Sequence, residues 1–468
     1  YPLLGIQSAK TVSRAYFSDS SFLYMGGFIL ALGIERWGLH RRIALTITSA
    51  VGVGPRRLVF GFMLATFAIS MWISNTASAL LMIPIAMALL ASLEEWHSDE
   101  PRSDRAFRRL AMATTLGIGY SATIGGMATL VGTPTNVVYV DIFRRLYPNA
   151  PAMSAGQWMT VWIPFATVFL LVAWGVLVFR MGTPRWSAGL DRGMLKSQLR
   201  ALGPMQPPER WMLGMFLFTV AAWLFRTDFA FGESIRLPGW GRIAECWLER
   251  LGVSAGGTGE WINDSTVAIT VAVLMFLIPV RTHGGHARAP LMDWRTANRL
   301  PWGILLLFGG GFALADACKS TGLSEWTGEH LAVLVEGQPL WVMILGIGVL
   351  VTFLSELTSN VATANALLPM IGGTAVALGM DPRLLMIPAT IASSCGFMLP
   401  VSTPPHTIVF GTGRIKLLEM ARYGFFLNLA GALLMLAASL WLLEPQLETR
   451  RGELPDWARP AAAAPSPD

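Results

Sequence analysis

The sequence FAISMWISNTASALLMIPI, at residues 67–85, contains a polar triplet, Ser74-Asn75-Thr76, inside an apolar stretch that covers residues 57–92. Each side of the triplet has about 16 residues, which make about 24 Å of helix. That is less than the hydrocarbon core of a bilayer, which is about 30 Å thick. Backbone groups at such a break cannot face lipid, where they would have no hydrogen-bond partners. The stretch therefore predicts a re-entrant helical hairpin whose tip is buried in protein or lines a water-filled cavity.

The same pattern occurs again at residues 341–378, where Ser359-Asn360-Val361 interrupts a second apolar stretch. One long kinked span could explain a single copy, but explains two less well. Further matches follow in the same order along both halves: Gly26-Gly27-Phe28 with Gly310-Gly311-Phe312, Pro84 with Pro369, and Thr133-Pro134 with Thr403-Pro404. Matches that keep their order indicate an internal duplication.

Composition places the chain in a membrane. Of its 468 residues 53% are hydrophobic and 14% charged, whereas about a quarter are charged in soluble proteins. Eight apolar blocks predict spans, near 20–37, 107–131, 158–180, 210–226, 264–281, 302–318, 383–400 and 422–443. The net charge of +6 does not indicate nucleic-acid binding, because Lys and Arg lie in short loops between apolar blocks. We therefore predict an all-α polytopic membrane protein.

The order of the spans predicts how the two halves are oriented. Four crossings separate the two Gly-Gly-Phe spans, so these spans run in opposite directions and the halves form an inverted repeat. Inverted repeats with interrupted helices are typical of secondary transporters. Loop charges agree with this topology. Segments 38–57, 93–106, 181–209, 282–301 and 411–421 are predicted cytoplasmic; most are basic, and 93–106 is mixed but is followed directly by Arg108 and Arg109. Acidic loops at 227–263 and 319–340 are predicted external, with Arg144 and Arg145 as an external exception.

Two further breaks carry Pro, at residues 132–136 and 402–406. Pro interrupts a helix, and a half-helix that begins there presents free N–H groups to an anion. Unwound carbonyl groups can bind Na⁺. Neither break contains Lys or Arg, so a buried dianion needs bound cations for compensation. The pattern thus predicts symport of a divalent anion with sodium, at a site near mid-membrane.

The paired Ser-Asn triplets and the run FMLPVSTPP at 397–405 resemble the divalent anion/sodium symporter family, over residues 20–443. The resemblance implies transport of dicarboxylates, tricarboxylates or sulfate by a homodimer in the inner membrane. A transport domain would move past a scaffold as an elevator. It also implies more spans than are counted here, so about three N-terminal scaffold spans, each of about 20 residues, are expected to be missing from the sequence.

The resemblance also assigns residues. It implies substrate contacts from Ser74, Asn75, Thr76, Thr133, Pro134, Ser359, Asn360, Val361, Thr403 and Pro404. One sodium ion would bind among Ser70, Ser74, Asn75 and Gly132, and a second among Ser355, Thr358, Asn360 and Ser402.

The predicted domains are a partial scaffold at 1–56, a first transport repeat at 57–181 (hairpin 57–92, broken helix 107–146), a scaffold at 182–340 that includes external loop 227–263, a second transport repeat at 341–443 (hairpin 341–378, broken helix 383–410) and a disordered tail at 444–468.

Several positions depart from the family pattern. Val361 replaces Thr, Thr135 replaces Pro, and His406 replaces Asn. His406 is either a capping residue or a proton-coupling group. Glu356, one turn before a hairpin tip, is either structural or part of a cation site.

Alternatives within transport are a sodium-independent dicarboxylate exchanger, a sulfate symporter of the same family and a passive channel. A membrane-embedded enzyme is a rival of another class, but neither H-E-x-x-H nor G-x-S-x-G occurs. We predict no enzyme activity and no organic cofactor. C4-dicarboxylates such as succinate and malate are the expected substrates.

Overall fold

A computed structural model provides the fold. It describes residues 1–52, 54–95, 103–151, 153–179, 181, 192–227, 229–231, 235–250, 262–281, 288–447 and 453–459. Most of the predicted tail and parts of the predicted loops at 93–106, 181–209, 227–263 and 282–301 therefore lie outside the described residues.

Helices make up most of the described chain. The first half contains α1 (Ala9–Tyr16), α2 (Asp19–Arg36), α3 (Leu39–Val51), α4 (Pro55–Ser70), α5 (Asn75–Glu95), α6 (Ser103–Met127), α7 (Pro134–Leu146) and α8 (Ala155–Val178). The middle contains α9 (Arg192–Ala201), α10 (Pro207–Leu224), β1 (Phe229–Phe231), β2 (Ile235–Leu237), α11 (Trp240–Arg250), α12 (Asp264–Leu277), β3 (Pro279–Arg281), β4 (Arg288–Pro290) and α13 (Trp294–Ala297). The second half contains α14 (Trp302–Ser320), α15 (Leu323–Val335), α16 (Leu340–Ser355), α17 (Asn360–Ala377), α18 (Arg383–Ser393), α19 (Pro404–Phe410), α20 (Leu417–Ala438), a π-helical turn (Ser439–Leu443) and α21 (Glu444–Gln446). Strands β1–β2 and β3–β4 form two short antiparallel hairpins.

The series α2–α8 corresponds helix by helix to α14–α20. Helices α3 and α15 both have 13 residues, and α4 and α16 both have 16. Gly38 and Gly322, which precede α3 and α15, have φ angles of 70° and 73°. This left-handed conformation favours glycine, so both halves turn the chain at the same point in the same way. These shared lengths and turns fit the predicted duplication.

Both predicted hairpin tips are breaks between helices. Helix α4 ends at Ser70 and α5 begins at Asn75, while α16 ends at Ser355 and α17 begins at Asn360. The two Pro-containing breaks also separate helices, α6 from α7 and α18 from α19. Across the halves, α7 packs on α17, and α19 packs on α5. Each broken helix thus contacts the helix pair of the other half, which brings all four breaks together.

The long apolar helices are fewer than the eight predicted spans. By length and composition, five helical segments of the described residues could cross a membrane: Ala9–Arg36, Asn75–Glu94, Ala155–Val178, Trp302–Ser320 and Leu417–Gln446. The pair α15–α16, bent by 116°, passes the same test together.

Two predicted spans were too long. The apolar block at 264–281 includes β3, because α12 ends at Leu277 and Pro279 continues as strand. The block at 383–400 includes an unwound segment, because α18 ends at Ser393.

The exceptional charges near the end of α7 are paired. Arg145 binds Asp141, and its Nη1 lies 2.5 Å from Asp316 Oδ2 on α14. Arg144 Nη1 lies 2.5 Å from Asp19 Oδ2 on α2. These ion pairs give both arginines a structural role at the end of α7, while they remain an exception to the loop-charge pattern.

Candidate functional site

A cavity of about 900 Å³ lies where the four breaks meet. All ten predicted substrate residues line it: Ser74, Asn75, Thr76, Thr133, Pro134, Ser359, Asn360, Val361, Thr403 and Pro404. Ser402 lines it as well. Residues from both halves, more than 200 positions apart in the sequence, therefore form one polar surface.

Oxygen atoms converge around Asn75 at one end of this surface. The Asn75 amide atom that faces Ser70 is 2.8 Å from Ser70 Oγ, 3.0 Å from the Ala122 carbonyl oxygen and 3.2 Å from the Gly132 carbonyl oxygen. Ser70 itself is fully buried, and its Oγ is 2.6 Å from Ala122 O. With nitrogen in the facing position, the amide donates to all three oxygens. With oxygen there, four oxygens meet, an arrangement that a bound cation would stabilise.

Close packing fixes this group of atoms. A Cβ atom on Gly126 of α6 would lie 2.3 Å from Asn75 Oδ1, so only glycine allows the amide to approach this helix. A Cβ on Gly132 would lie 2.6 Å from Gly126 O. The Ser74 hydroxyl accepts a bond from the Ala77 amide at 3.3 Å. Ser70, Ser74, Asn75 and Gly132, the first predicted sodium set, are thus close together.

The second predicted sodium set is only partly assembled. Ser355 and Ser402 meet at Gly396, where an added Cβ would lie 3.3 Å from Ser355 Oγ and 3.2 Å from Ser402 Cβ. Thr358 is turned toward α17, because its hydroxyl binds Thr363 Oγ1 at 2.6 Å and Leu354 O at 3.0 Å. Its side chain is therefore separate from the Ser355–Ser402 pair.

Two buried polar atoms beside this pair lack partners. Within the described residues, neither Asn360 Oδ1 nor Thr403 Oγ1 has a hydrogen-bond partner, and both residues line the cavity. Buried polar atoms are nearly always hydrogen-bonded, so each exception needs an explanation. A ligand in the cavity would satisfy both atoms.

His406 is held by hydroxyl groups on both sides of its ring. It is fully buried, with Nδ1 3.1 Å from Ser402 Oγ and Nε2 3.4 Å from Thr123 Oγ1. Tyr120 and Phe397 pack against the ring. These contacts make His406 the link that orients Ser402, which favours the capping interpretation over proton coupling.

Glu356 fixes the unwound segment after α18. Its two carboxylate oxygens accept bonds from the Met398 amide at 2.7 Å and the Leu399 amide at 3.0 Å. Asn428 Nδ2 donates to it at 2.7 Å, and Asn428 Oδ1 accepts from the Phe397 amide at 3.0 Å. The carboxylate therefore supports the break rather than facing the cavity.

Thr135 joins the two Pro-containing breaks directly. Its hydroxyl is 2.8 Å from Ser394 Oγ. No side-chain cap is present at Thr133 before α7 or at Ser359 before α17. In α17 no side-chain cap competes with an anion for the first N–H groups of the described helix, as predicted for a half-helix N-terminus. In α7 fewer are available, because Pro134 has no N–H and the Asn136 amide donates to Thr133 O at 3.3 Å.

The cavity also extends to residues that the sequence did not indicate. Glu35, His40 and Arg299 line one end, and apolar residues such as Phe28, Leu32 and Ile304 line the wall between. Arg299 Nη2 is 2.5 Å from Glu35 Oε1. The two residues are 264 positions apart, and charged residues are common at the ends of loops. No sequence signal therefore identified this pair.

Comparison with known proteins assigns the family. The pattern described as the sodium:sulfate symporter transmembrane region matches residues 3–445. The chain belongs to the sodium:sulfate symporter family. This confirms the predicted family. Sodium:sulfate symporters are membrane transporters, so the chain is a multi-pass transporter of the cell membrane and not an enzyme, as predicted.

Individual members of this family resemble the chain over nearly its whole length. The sodium-dependent dicarboxylate transporter SdcS of Staphylococcus saprophyticus is 37% identical over 451 residues, which cover 95% of this chain and 80% of that protein. A protein of the same name from Staphylococcus aureus is 36% identical over 445 residues, which cover 94% and 80%. The solved structure of the Alcanivorax borkumensis YdaH transporter, described as having an unusual topology, aligns with a TM-score of 0.56 and 14% identity over 95% of this chain and 88% of that one. This last likeness concerns the fold alone.

Proposed function

We propose that the protein is a sodium-coupled symporter of C4-dicarboxylates such as succinate and malate. The observation that carries this proposal is the single cavity lined by helix breaks from both halves. Two sets of neutral donors, at Ser74-Asn75-Thr76 and at Ser359-Asn360, suit an anion with a carboxylate at each end. The relatives named above are sodium-dependent dicarboxylate transporters.

Sodium is the second substrate in this proposal. One ion binds with the Asn75 amide turned so that its side-chain oxygen meets Ser70 Oγ and the Gly132 carbonyl, an arrangement of oxygens that a cation stabilises. A second binds near Ser355, Ser402 and Asn360 Oδ1, the last of which has no partner in the described chain. Thr358 contributes through its backbone, since its hydroxyl is already bonded to Thr363.

Coupling follows from electrostatics. The breaks supply helix N-termini and hydroxyl groups, which bind an anion but do not neutralise two negative charges. A dianion at the tips therefore binds tightly only with sodium beside it, and sodium binds more tightly with the dianion present. This mutual dependence couples the two fluxes.

Movement across the membrane requires the cavity to open alternately to each side. We propose an elevator in which helices at 57–181 and 341–443 form the transport domain and the remaining helices the scaffold, with two chains in a dimer. The cavity of this structure reaches His40 and Arg299, in segments predicted cytoplasmic, and Glu35, at the adjoining end of the predicted span 20–37. The conformation is therefore proposed to be inward-facing.

Transport in proteoliposomes tests the proposal. Labelled succinate should accumulate when an inward sodium gradient is imposed and should not when potassium replaces sodium. Uptake that ignores sodium but requires internal dicarboxylate would instead establish an exchanger. Competition by unlabelled malate but not by sulfate is expected; the reverse order would establish a sulfate symporter.

A further inference from the structure

We propose that Arg299 is a docking residue for the transported dianion at the end of the cavity remote from the helix breaks, where Glu35 competes for it. This inference rests on the proposed function. Among the described residues that line the cavity, Glu35 and Arg299 are the only charged ones. Among the described lining residues, Arg299 is therefore the one fixed cation that an anion in this cavity meets.

The position of the pair follows from α2. Gly27 on this helix contacts Val131, where an added Cβ would lie 3.3 Å from Val131 Cγ1, two residues before Thr133. Glu35 lies eight residues further along α2, or about 12 Å of helix. Between these levels α2 presents Phe28, Ala31 and Leu32 to the cavity. An anion leaving the polar tips thus crosses an apolar wall before it meets Arg299.

The ion pair is placed to exchange partners. One contact of 2.5 Å joins Arg299 Nη2 to Glu35 Oε1, and the side chains are 58% and 37% exposed. Exposed pairs with one contact are worth at most about 1 kcal/mol. A dianion offers more negative charge than one carboxylate, and can therefore displace Glu35 from the guanidinium.

Neighbouring contacts hold both residues in place. Trp37 Nε1 donates to Leu291 O at 2.7 Å, and Arg36 Nη2 is 2.7 Å from Asp293 Oδ2. The end of α2 is thereby fixed to the segment that carries Arg299. The Arg414–Glu94 pair, whose closest atoms are 2.8 Å apart, also lies in segments predicted cytoplasmic but does not line the cavity, which makes it a matched control.

Transport measured separately from each face tests the role of Arg299. In reconstituted vesicles of known orientation, the half-saturating succinate concentration on the predicted cytoplasmic face should rise about fivefold in Arg299→Gln, the range of an exposed ion pair. It should fall in Glu35→Gln and stay near normal in Arg299→Lys. The value on the opposite face should not change. Raising ionic strength should weaken cytoplasmic-face binding in the unmodified protein and have little effect in Arg299→Gln.

The control variant alters an ion pair that does not line the cavity. Arg414→Gln removes the Arg414–Glu94 pair, which does not hold Arg299 in place, and should leave the half-saturating succinate concentration unchanged on both faces. The proposal is overturned if Arg299→Gln raises the half-saturating succinate concentration equally on both faces, or leaves it unchanged on the cytoplasmic face, while the unmodified protein transports succinate. Absence of succinate transport by the unmodified protein would instead refute the proposed function, and this inference with it.

Discussion

At the residue scale, Asn75 and Asn360 occupy equivalent positions at the start of α5 and α17. Their surroundings differ. Asn75 meets three oxygens within 3.2 Å, while Asn360 Oδ1 has no partner among the described residues. The Asn75 amide can donate to those oxygens, or turn its own oxygen to a bound ion, whereas Asn360 Oδ1 gains a partner only from an ion or a substrate group. The pair therefore provides the most direct single-residue tests.

Replacing either residue should abolish transport. Asn75→Ala removes the amide from the cluster with Ser70 and Gly132, and Asn360→Ala removes the unpartnered oxygen at the second tip. We expect no sodium-driven succinate uptake by either variant, with normal membrane insertion by surface labelling. Asn298→Ala, in the short turn after α13, is a control that should transport normally. Full uptake by both tip variants would refute the site.

Substitution of Val361 is expected to change the affinity for substrate and to leave the site intact. It lines the cavity at the position that corresponds to Thr76. Val361→Thr adds a hydroxyl donor beside a substrate carboxylate, and a hydrogen bond to a charged group is worth about 1.5 kcal/mol or more. We predict a fall of about tenfold in the succinate KM. Val361→Ala, which adds no donor, should not lower it, and an unchanged KM in Val361→Thr would count against this contact.

At the element scale, the breaks were predictable and the lengths of neighbouring helices were not. Ser-Asn triplets and Pro are local signals, so the predicted hairpins 57–92 and 341–378 lie within three residues of the bounds of α4–α5 and α16–α17. The unwound segment after Ser393 is apolar, and its hydropathy predicted a helix. It stays unwound because Glu356 and Asn428, distant in sequence, accept its amide hydrogens. Hydropathy does not record such partners.

Glu356→Gln tests whether this carboxylate supports the break. The side-chain amide nitrogen of Gln would face a backbone N–H. A buried donor would then be left unsatisfied, at a cost of about 1–3 kcal/mol. We expect a lower melting temperature in detergent and reduced succinate uptake. Glu336→Gln, which lies in the connection between α15 and α16, is the control. A melting temperature equal to that of the unmodified protein would show that Glu356 has no supporting role.

At the scale of the whole molecule, two ion pairs and the hydrogen bonds of Lys319 cross between the proposed domains near the end of α7. Arg144 binds Asp19 on α2, and Arg145 binds Asp316 on α14. Lys319 Nζ also donates to the Arg145 and Leu146 carbonyl oxygens, at 2.7 and 2.6 Å. If α7 moves past α2 and α14 as an elevator, these contacts must break in each cycle.

Cross-linking tests this motion. In a protein whose native cysteines have been replaced, Arg145→Cys with Asp316→Cys joined by a short thiol reagent should abolish uptake. Reduction should restore it. A cross-link between Glu94→Cys and Arg414→Cys, whose native side chains pair at 2.8 Å, lies inside the proposed transport domain and should be tolerated. Undiminished uptake by the 145–316 cross-linked protein would exclude the elevator.

The sequence predicted the helix breaks that meet between the two halves better than it predicted the rest of the cavity wall. The ten substrate residues predicted from the repeated motifs and the family resemblance all line one cavity. The motifs did not indicate that α2 and α14 complete the wall or that Glu35 and Arg299 lie at one end, because packing between distant segments determines both.

Binding of succinate to the purified protein tests the central claim, that breaks from both halves hold one dianion beside sodium. Calorimetric titrations in sodium chloride and in potassium chloride of equal ionic strength should show binding only with sodium. Asn75→Ala and Asn360→Ala should each eliminate that binding. Equal affinity in potassium, or binding retained by both variants, would contradict the account.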